Sequence, residues 1–259
     1  MPTLADKTYR EVMLADPAPG STPYEQATRD FLFGQVWPRP GLSRRDRRLV
    51  TLSCVGGADA TEPITAHVYA ALASGDLTLA EMLEFTLHFA VYCGWPKASQ
   101  VETTIRAQWA RLCAERGEKV EAWPALAHEP RRPTDHEERL RGGERSFREI
   151  NCLPAPPRDS AYFHAGILAF VFGHVWQRPG LGVRDRRLVT LPCVGLSDAT
   201  GPIRSHVGSA LESRDVSRAE MDEIILHFSA YYGFAKGEVM NRVAAEEWAR
   251  IERVEAGGG

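Results

Sequence analysis

The chain has 259 residues, with 31 Lys+Arg against 34 Asp+Glu, a net charge of -3, 44% hydrophobic and 25% charged residues. That is an ordinary globular composition, long enough to bury a core without metal or disulfide staples. The balanced charge argues against a nucleic-acid partner, no apolar run is long enough to span a membrane, and Met1–Asp16 lacks the apolar stretch of a secretory signal.

In chain order, an N-terminal arm around Tyr9-Arg-Glu-Val12 comes first. Helices are then expected at about 24–36, 44–56, 62–74, 78–93 and 97–116. Ser43-x-x-Asp46 and Thr78-x-x-Glu81 read as capping boxes, Pro63 suits a first helical turn, and Gly94 should stop the fourth helix. Residues 117–143, rich in charge and proline, read as an exposed linker with a short helix at Glu137–Arg141. Helices follow at about 161–175, 183–195, 201–213, 217–232 and 236–253, with Ser217-x-x-Glu220, Pro202 and Gly233 in matching places. The glycines 257–259 read as an unstructured end. Few segments alternate with period two, so the expected class is all-α.

The two helical sets are copies of one unit. Phe31-Leu-Phe-Gly-Gln-Val-Trp37 answers to Phe170-Val-Phe-Gly-His-Val-Trp176, and Arg-Asp-Arg-Arg-Leu-Val-Thr-Leu occurs at 45–52 and 184–191. The match runs without a gap to Trp109 and Trp248, about half the positions being identical, which marks a tandem duplication. The expected organisation is a first repeat at 1–116, a linker at 117–143 and a second repeat at 144–254.

Candidate chemistry recurs with the repeat. His67 and His206 each sit in Pro-Ile-x-x-His-Val. Glu84, His88 and Tyr92 are spaced i, i+4, i+8, as are Glu223, His227 and Tyr231, so each set shares one helix face. Such a face can tune an imidazole for proton transfer near neutral pH. The plain alternative is an amphipathic helix whose polar edge pairs with a neighbour. Glu62 precedes His67, whereas Gly201 holds that place in the second copy. Glu62 acts either as an acid or base in one copy alone or as a charge complementing a helix N-terminus. The arginines at 39, 44, 45, 47 and 48, and at 178, 184, 186 and 187, are expected to be solvated or paired at subunit contacts. Arg39 and Arg178 are the candidates for holding a substrate carboxylate. Trp37 and Trp176 beside them either wall a pocket or pack the core. The five cysteines, Cys54, Cys93, Cys113, Cys152 and Cys193, contain no C-x-x-C and read as reduced thiols of a cytoplasmic protein. No metal site and no cofactor are expected, and dinucleotide, P-loop, serine-hydrolase and zincin motifs are absent from the sequence.

Residues 33–52, 63–72 and 89–98 resemble, in order, stretches of γ-carboxymuconolactone decarboxylase, and 172–191, 202–211 and 228–237 resemble them again. The resemblance implies a tandem member of the carboxymuconolactone decarboxylase (AhpD-like) superfamily. It implies an all-α fold with pockets near subunit contacts, and a fused pair that stands in for a dimer. Three chains would then form a pseudo-hexamer, a homo-oligomer. The superfamily's peroxidase members use a C-x-x-C-x-x-x-H motif. Ala60 and Pro63, and Ala199 and Pro202, hold the thiol places here, so thiol peroxidase activity is not expected. Gln35 and His174 replace a family glutamate, and His88 and His227 replace a glutamine-like position. The expectation is a cofactor-independent decarboxylase or other lyase acting by proton transfer on a small-molecule, carbonyl-conjugated acid or lactone. His67, His206, Glu62, His88 and His227 would be catalytic, and Arg39, Arg178, Trp37, Trp176, Tyr92, Tyr231 and His174 would bind substrate. An isomerase or cyclase on a polyketide-like intermediate, or a non-catalytic binding or assembly protein, are the alternatives.

Overall fold

The computed structural model describes residues 2–120, 135–197 and 199–257, and every regular element among them is helical. Helix α1 is Leu4–Met13, and α2, Pro23–Ala27, continues as a π-helix over Thr28–Val36. Then come α3 (Arg44–Gly57), α4 (Thr61–Ala73), α5 (Leu79–Cys93), α6 (Trp95–Arg116) and α7 (His136–Asn151). A second π-helix, Tyr162–Phe172, and a 3-10 turn, Val175–Gln177, lead to α8 (Val183–Leu196), α9 (Thr200–Glu212), α10 (Arg218–Tyr232) and α11 (Phe234–Gly257).

The local signals act as their chemistry requires. The capping boxes of Ser43, Thr78 and Ser217 close reciprocally with Asp46, Glu81 and Glu220. Gly94 and Gly233 end α5 and α10 at φ +89° and +116°. Three expectations change. The N-terminal arm is helix α1. The stretch 161–175 is not one regular helix: it is π-helical to Phe172, and His174 leaves helical geometry at φ −136°, ψ −64°. The chain presses on itself here, because a Cβ on Gly173 would lie 2.6 Å from the Leu168 carbonyl oxygen. Residues 136–143 contain the helix expected at Glu137–Arg141, but it is longer than expected: they are the first half of α7, whose Leu140, Gly143, Ser146 and Ile150 form one buried stripe. The rest of the expected linker, 121–134, lies outside the described residues, as do Gly258 and Gly259.

Helices α3 and α8 form the centre of the molecule and run parallel. Their N-termini exchange ion pairs, Arg45 with Asp185 at 2.6 Å and Arg184 with Asp46 at 2.9 Å. At their C-termini Gly57 sits against Leu196. Residues Asp46 to Gly57 are all buried, as befits a helix covered on every side. Helix α10 packs on α3 and α5 on α8, so each long arm crosses to the opposite half of the chain. The largest apolar core runs from Leu42 to Ile251 through both halves, with two smaller clusters around Trp37 and Trp176. No helix among the described residues is long and apolar enough to cross a membrane.

Candidate active site

The packing of α10 on α3 and of α5 on α8 builds two matching polar clusters. In one, α3 supplies Arg47, Arg48 and Thr51, and α10 supplies Glu223, His227 and Tyr231. His227 Nδ1 lies 3.4 Å from Arg47 Nη1, and its Nε2 lies 2.7 Å from Thr51 Oγ1. A guanidinium only donates, so Nδ1 accepts and Nε2 carries the proton that Thr51 receives. In the other cluster, His88 lies 3.3 Å from Arg186 and 2.8 Å from Thr190. Burial, with the adjacent guanidinium, pushes both imidazoles well below their ordinary pKa. Both ring nitrogens of His88 and His227 are engaged and neither side chain reaches solvent. Their face holds the two halves together.

The four arginines 47, 48, 186 and 187 are fully buried rather than solvated. Arg47 and Arg39 both donate to Glu223, at 2.9 and 2.6 Å. Burial alone would raise the Glu223 pKa, but these two bonds hold it below its usual range. Arg178 donates to Glu84 at 2.6 Å, and Arg186 stands 3.7 Å from the same carboxylate. Arg48 and Arg187 pair with Asp76 and Asp215 at 3.2 and 3.1 Å and donate to the Val12 and Ile150 carbonyls. Those carbonyls close the ends of α1 and α7, where a cation also meets the negative end of the helix dipole. The same guanidiniums lie over the rings of Trp37 and Trp176, 5.4 and 5.5 Å from the centroids.

His67 and His206 occupy a different position. Trp37 Nε1 donates to Tyr231 Oη at 2.8 Å, and that oxygen lies 3.4 Å from His67 Nε2. Trp176 donates to Tyr92 Oη at 3.0 Å, and the Tyr92 and His206 rings stand 5.4 Å apart. Each histidine is buried, yet its Nδ1 has no hydrogen-bond partner among the described residues. Burial, then Arg48 or Arg187, pushes each imidazole down to about 3. Burial pushes the Tyr92 phenol up to about 12 and raises Tyr231 as well.

A cavity of about 630 Å³ opens at His206 and Tyr92. Its wall is mostly apolar, with seven Phe, Tyr or Trp side chains, and no described residue lining it is Lys, Arg, Asp or Glu. It reaches the surface at Trp95 and Tyr162, 59% and 68% exposed. Neither Arg39 nor Arg178 lines it. Arg178 borders a separate cavity of about 570 Å³ beside Glu84, Glu102 and Arg106 on α5 and α6. Arg178 is also covered, with His174 Nε2 3.5 Å from its Nη1, while Arg39 is half exposed. Glu62 is exposed in the first turn of α4. Among the described residues, no group of three or more His, Cys, Asp or Glu is placed to hold a metal ion.

Sequence reasoning missed the buried arginines and the two threonines. The available signal was Arg-Arg-Leu-Val-Thr in both copies, in which the arginines abut an apolar run.

A model of the Carboxymuconolactone decarboxylase family matches residues 23–103. The chain is 37% identical over 100 residues to nitrosuccinic acid decarboxylase of Metarhizium robertsii, covering 39% of this chain and 68% of the relative. It is 35% identical over 69 residues to 4-carboxymuconolactone decarboxylase of Acinetobacter baylyi, covering 27% of this chain and 51% of that relative.

Proposed function

The chain belongs to the carboxymuconolactone decarboxylase family, and on that premise we propose that it is a decarboxylase working without a cofactor at the His206 cavity. Its substrate is an acid or lactone conjugated to a carbonyl or comparable electron-accepting group. One observation carries the reading: a buried, neutral imidazole with an unpartnered Nδ1 shares a surface-reaching cavity with a protonated phenol.

The uncharged lining favours entry of a neutral carboxyl group over a carboxylate. The His206 imidazole takes the carboxyl proton. With the imidazole held at about 3, that transfer is uphill even against a carboxylic acid of ordinary pKa, about 4, and the loss of carbon dioxide that follows draws it forward. The bond to the carboxyl carbon then breaks and carbon dioxide leaves. The electron pair moves into the conjugated group, whose oxygen accepts a hydrogen bond from Tyr92 Oη. Trp176 already donates to that oxygen of Tyr92, which leaves the phenol proton free to point at the substrate. The imidazolium, a strong acid in this surrounding, returns its proton to carbon. His88, Thr190 and Arg186 position α5 and hence Tyr92. Glu62 has no part in this reading.

The names of both relatives fit such chemistry, since nitrosuccinic acid and 4-carboxymuconolactone each combine a carboxyl group with an electron-accepting neighbour. The test is carbon dioxide release from a panel of conjugated acids and lactones. His206→Ala should lower turnover by about 10²–10⁴-fold, the usual contribution of a positioned acid–base group. His67→Ala should be mild. Unchanged turnover in the His67→Ala, His206→Ala double variant would overturn the reading.

A further inference from the structure

The shape of the His206 cavity speaks to what it accepts. Besides Tyr92, six aromatic rings from three elements frame it: Trp95 at the start of α6, Phe147 on α7, and Tyr162, Phe163, Phe170 and Phe172 on the second π-helix. The π-helix spreads its side chains differently from an α-helix, which is why such segments recur at binding sites. The rings brace one another, Trp95 on Phe170 at 5.8 Å and Tyr162 on Phe163 at 5.2 Å between centroids. At about 630 Å³ the cavity falls in the range of about 300–1,000 Å³ that encloses ligands of drug size. The polar groups His206 and Tyr92 lie at its buried end, and the exposed Trp95 and Tyr162 at its mouth.

We infer that the substrate is a ring-bearing conjugated acid, aromatic or polycyclic, rather than a short aliphatic diacid. Its rings lie against Trp95, Phe147, Phe163 and Phe170, and its carboxyl-bearing carbon reaches His206. This rests on the decarboxylase reading for the reacting group but on the cavity wall for the ring. A short diacid would leave most of the aromatic wall bare and would bring a second carboxylate into a lining without a described cation. Apolar ring surface gains from burial in proportion to its area, and flat rings gain further from stacking.

The test measures binding, not turnover. Methyl 2-naphthoate and 2-naphthoic acid are titrated against the full chain by calorimetry and by tryptophan fluorescence, with succinate and nitrosuccinate as comparators. Both naphthyl probes should bind at least about tenfold more tightly than either diacid, the surplus expected of buried ring surface. Gly166 lines the cavity and a Cβ there meets nothing within 4 Å, so Gly166→Trp places an indole in the open space. It should abolish naphthyl binding. Phe163→Ala should weaken it about tenfold without blocking the cavity. Diacids that bind as tightly as the naphthyl probes, or naphthyl binding that survives both substitutions, would overturn the proposal. Loss of turnover without loss of naphthyl binding in His206→Ala keeps the two readings apart. Naphthyl binding with turnover intact in the double histidine variant would sink the decarboxylase site alone. Nitrosuccinate turnover unaffected by Gly166→Trp would sink the ring proposal alone.

Discussion

Replacing His206 by glutamine should flatten the chain's sensitivity to mild acid. The imidazole is neutral when folded, its pKa pushed from 6.5 to about 3 by burial and by Arg187. In the unfolded chain it titrates at its ordinary value. Below pH 6.5 the unfolded state therefore takes up a proton that the folded state refuses until about pH 3. Stability is present above 6.5 and lost as pH falls, by about 1.4 kcal/mol per pH unit for one such proton. Between pH 7 and pH 5 the loss from His206 is about 2 kcal/mol, a large share of a typical total of about 5–15 kcal/mol. His67 adds a loss of the same sign, and His88 and His227, also driven below their ordinary values, add theirs. The ion-paired carboxylates Asp46, Asp76 and Glu223 are held below their usual range, so they titrate beneath this window. The assay is urea unfolding followed by tryptophan fluorescence at pH 7, 6 and 5. His206→Gln costs some stability at every pH, but the difference between pH 7 and pH 5 should shrink by about 2 kcal/mol relative to the parent. An equal pH 7-to-5 drop in both proteins refutes the buried neutral imidazole and, with it, the acid strength assigned to its protonated form.

Gly143→Ala places a Cβ 1.9 Å from the Leu168 carbonyl oxygen, and because backbone must move, the cost should reach about 3 kcal/mol or more in a thermal melt. Thr190→Val strands the buried Nε2–H of His88 and should cost about 1–3 kcal/mol, whereas Thr103→Val on the exposed face of α6 should cost almost nothing. Light scattering should give three times the 28.7 kDa chain mass, and a single-chain mass would remove the trimer from the reading.

The helices were largely legible because their signals are local. Capping boxes, Gly94, Gly233 and the apolar spacing act within a few residues, and the ends of α3, α5 and α10 fall within a residue or two of expectation. Helix α7 was legible only as a short helix at Glu137–Arg141; its full length and buried stripe were hidden because its outer face is almost wholly charged and the stripe includes Gly143 and Ser146, which carry no hydrophobic signal. The break before Trp176 was hidden because it arises from close backbone approach at Gly173, a tertiary effect. The i, i+4, i+8 spacing correctly placed Glu84, His88 and Tyr92 on one face. What it could not give was the partner. That face meets Arg186 and Thr190 from the opposite half of the chain, and the contact divides its three residues. The histidine becomes part of the packing, while the tyrosine reaches the cavity.

The arginines show why the site and the fold are one problem here. A guanidinium on a polar-looking helix start is ordinarily a solvated group. Arg187 is buried because Asp215, Ser209 and the end of α7 together satisfy it, and an uncompensated buried cation would be far more costly than a lost surface charge. Once fixed, it faces Trp176 and lies near enough to His206 to lower its pKa further. The same charge therefore ties α7 to α8 and reinforces the burial that keeps the imidazole neutral. Tyr92 arrives on α5, His206 on α9 and the aromatic wall on α6, α7 and the second π-helix. No one segment carries the proposed chemistry, so a sequence reader sees its parts as separate recurrent residues. They come together only where α5 crosses onto α8, and the buried arginine that fixes one side of that crossing adds to the burial that lowers the His206 pKa.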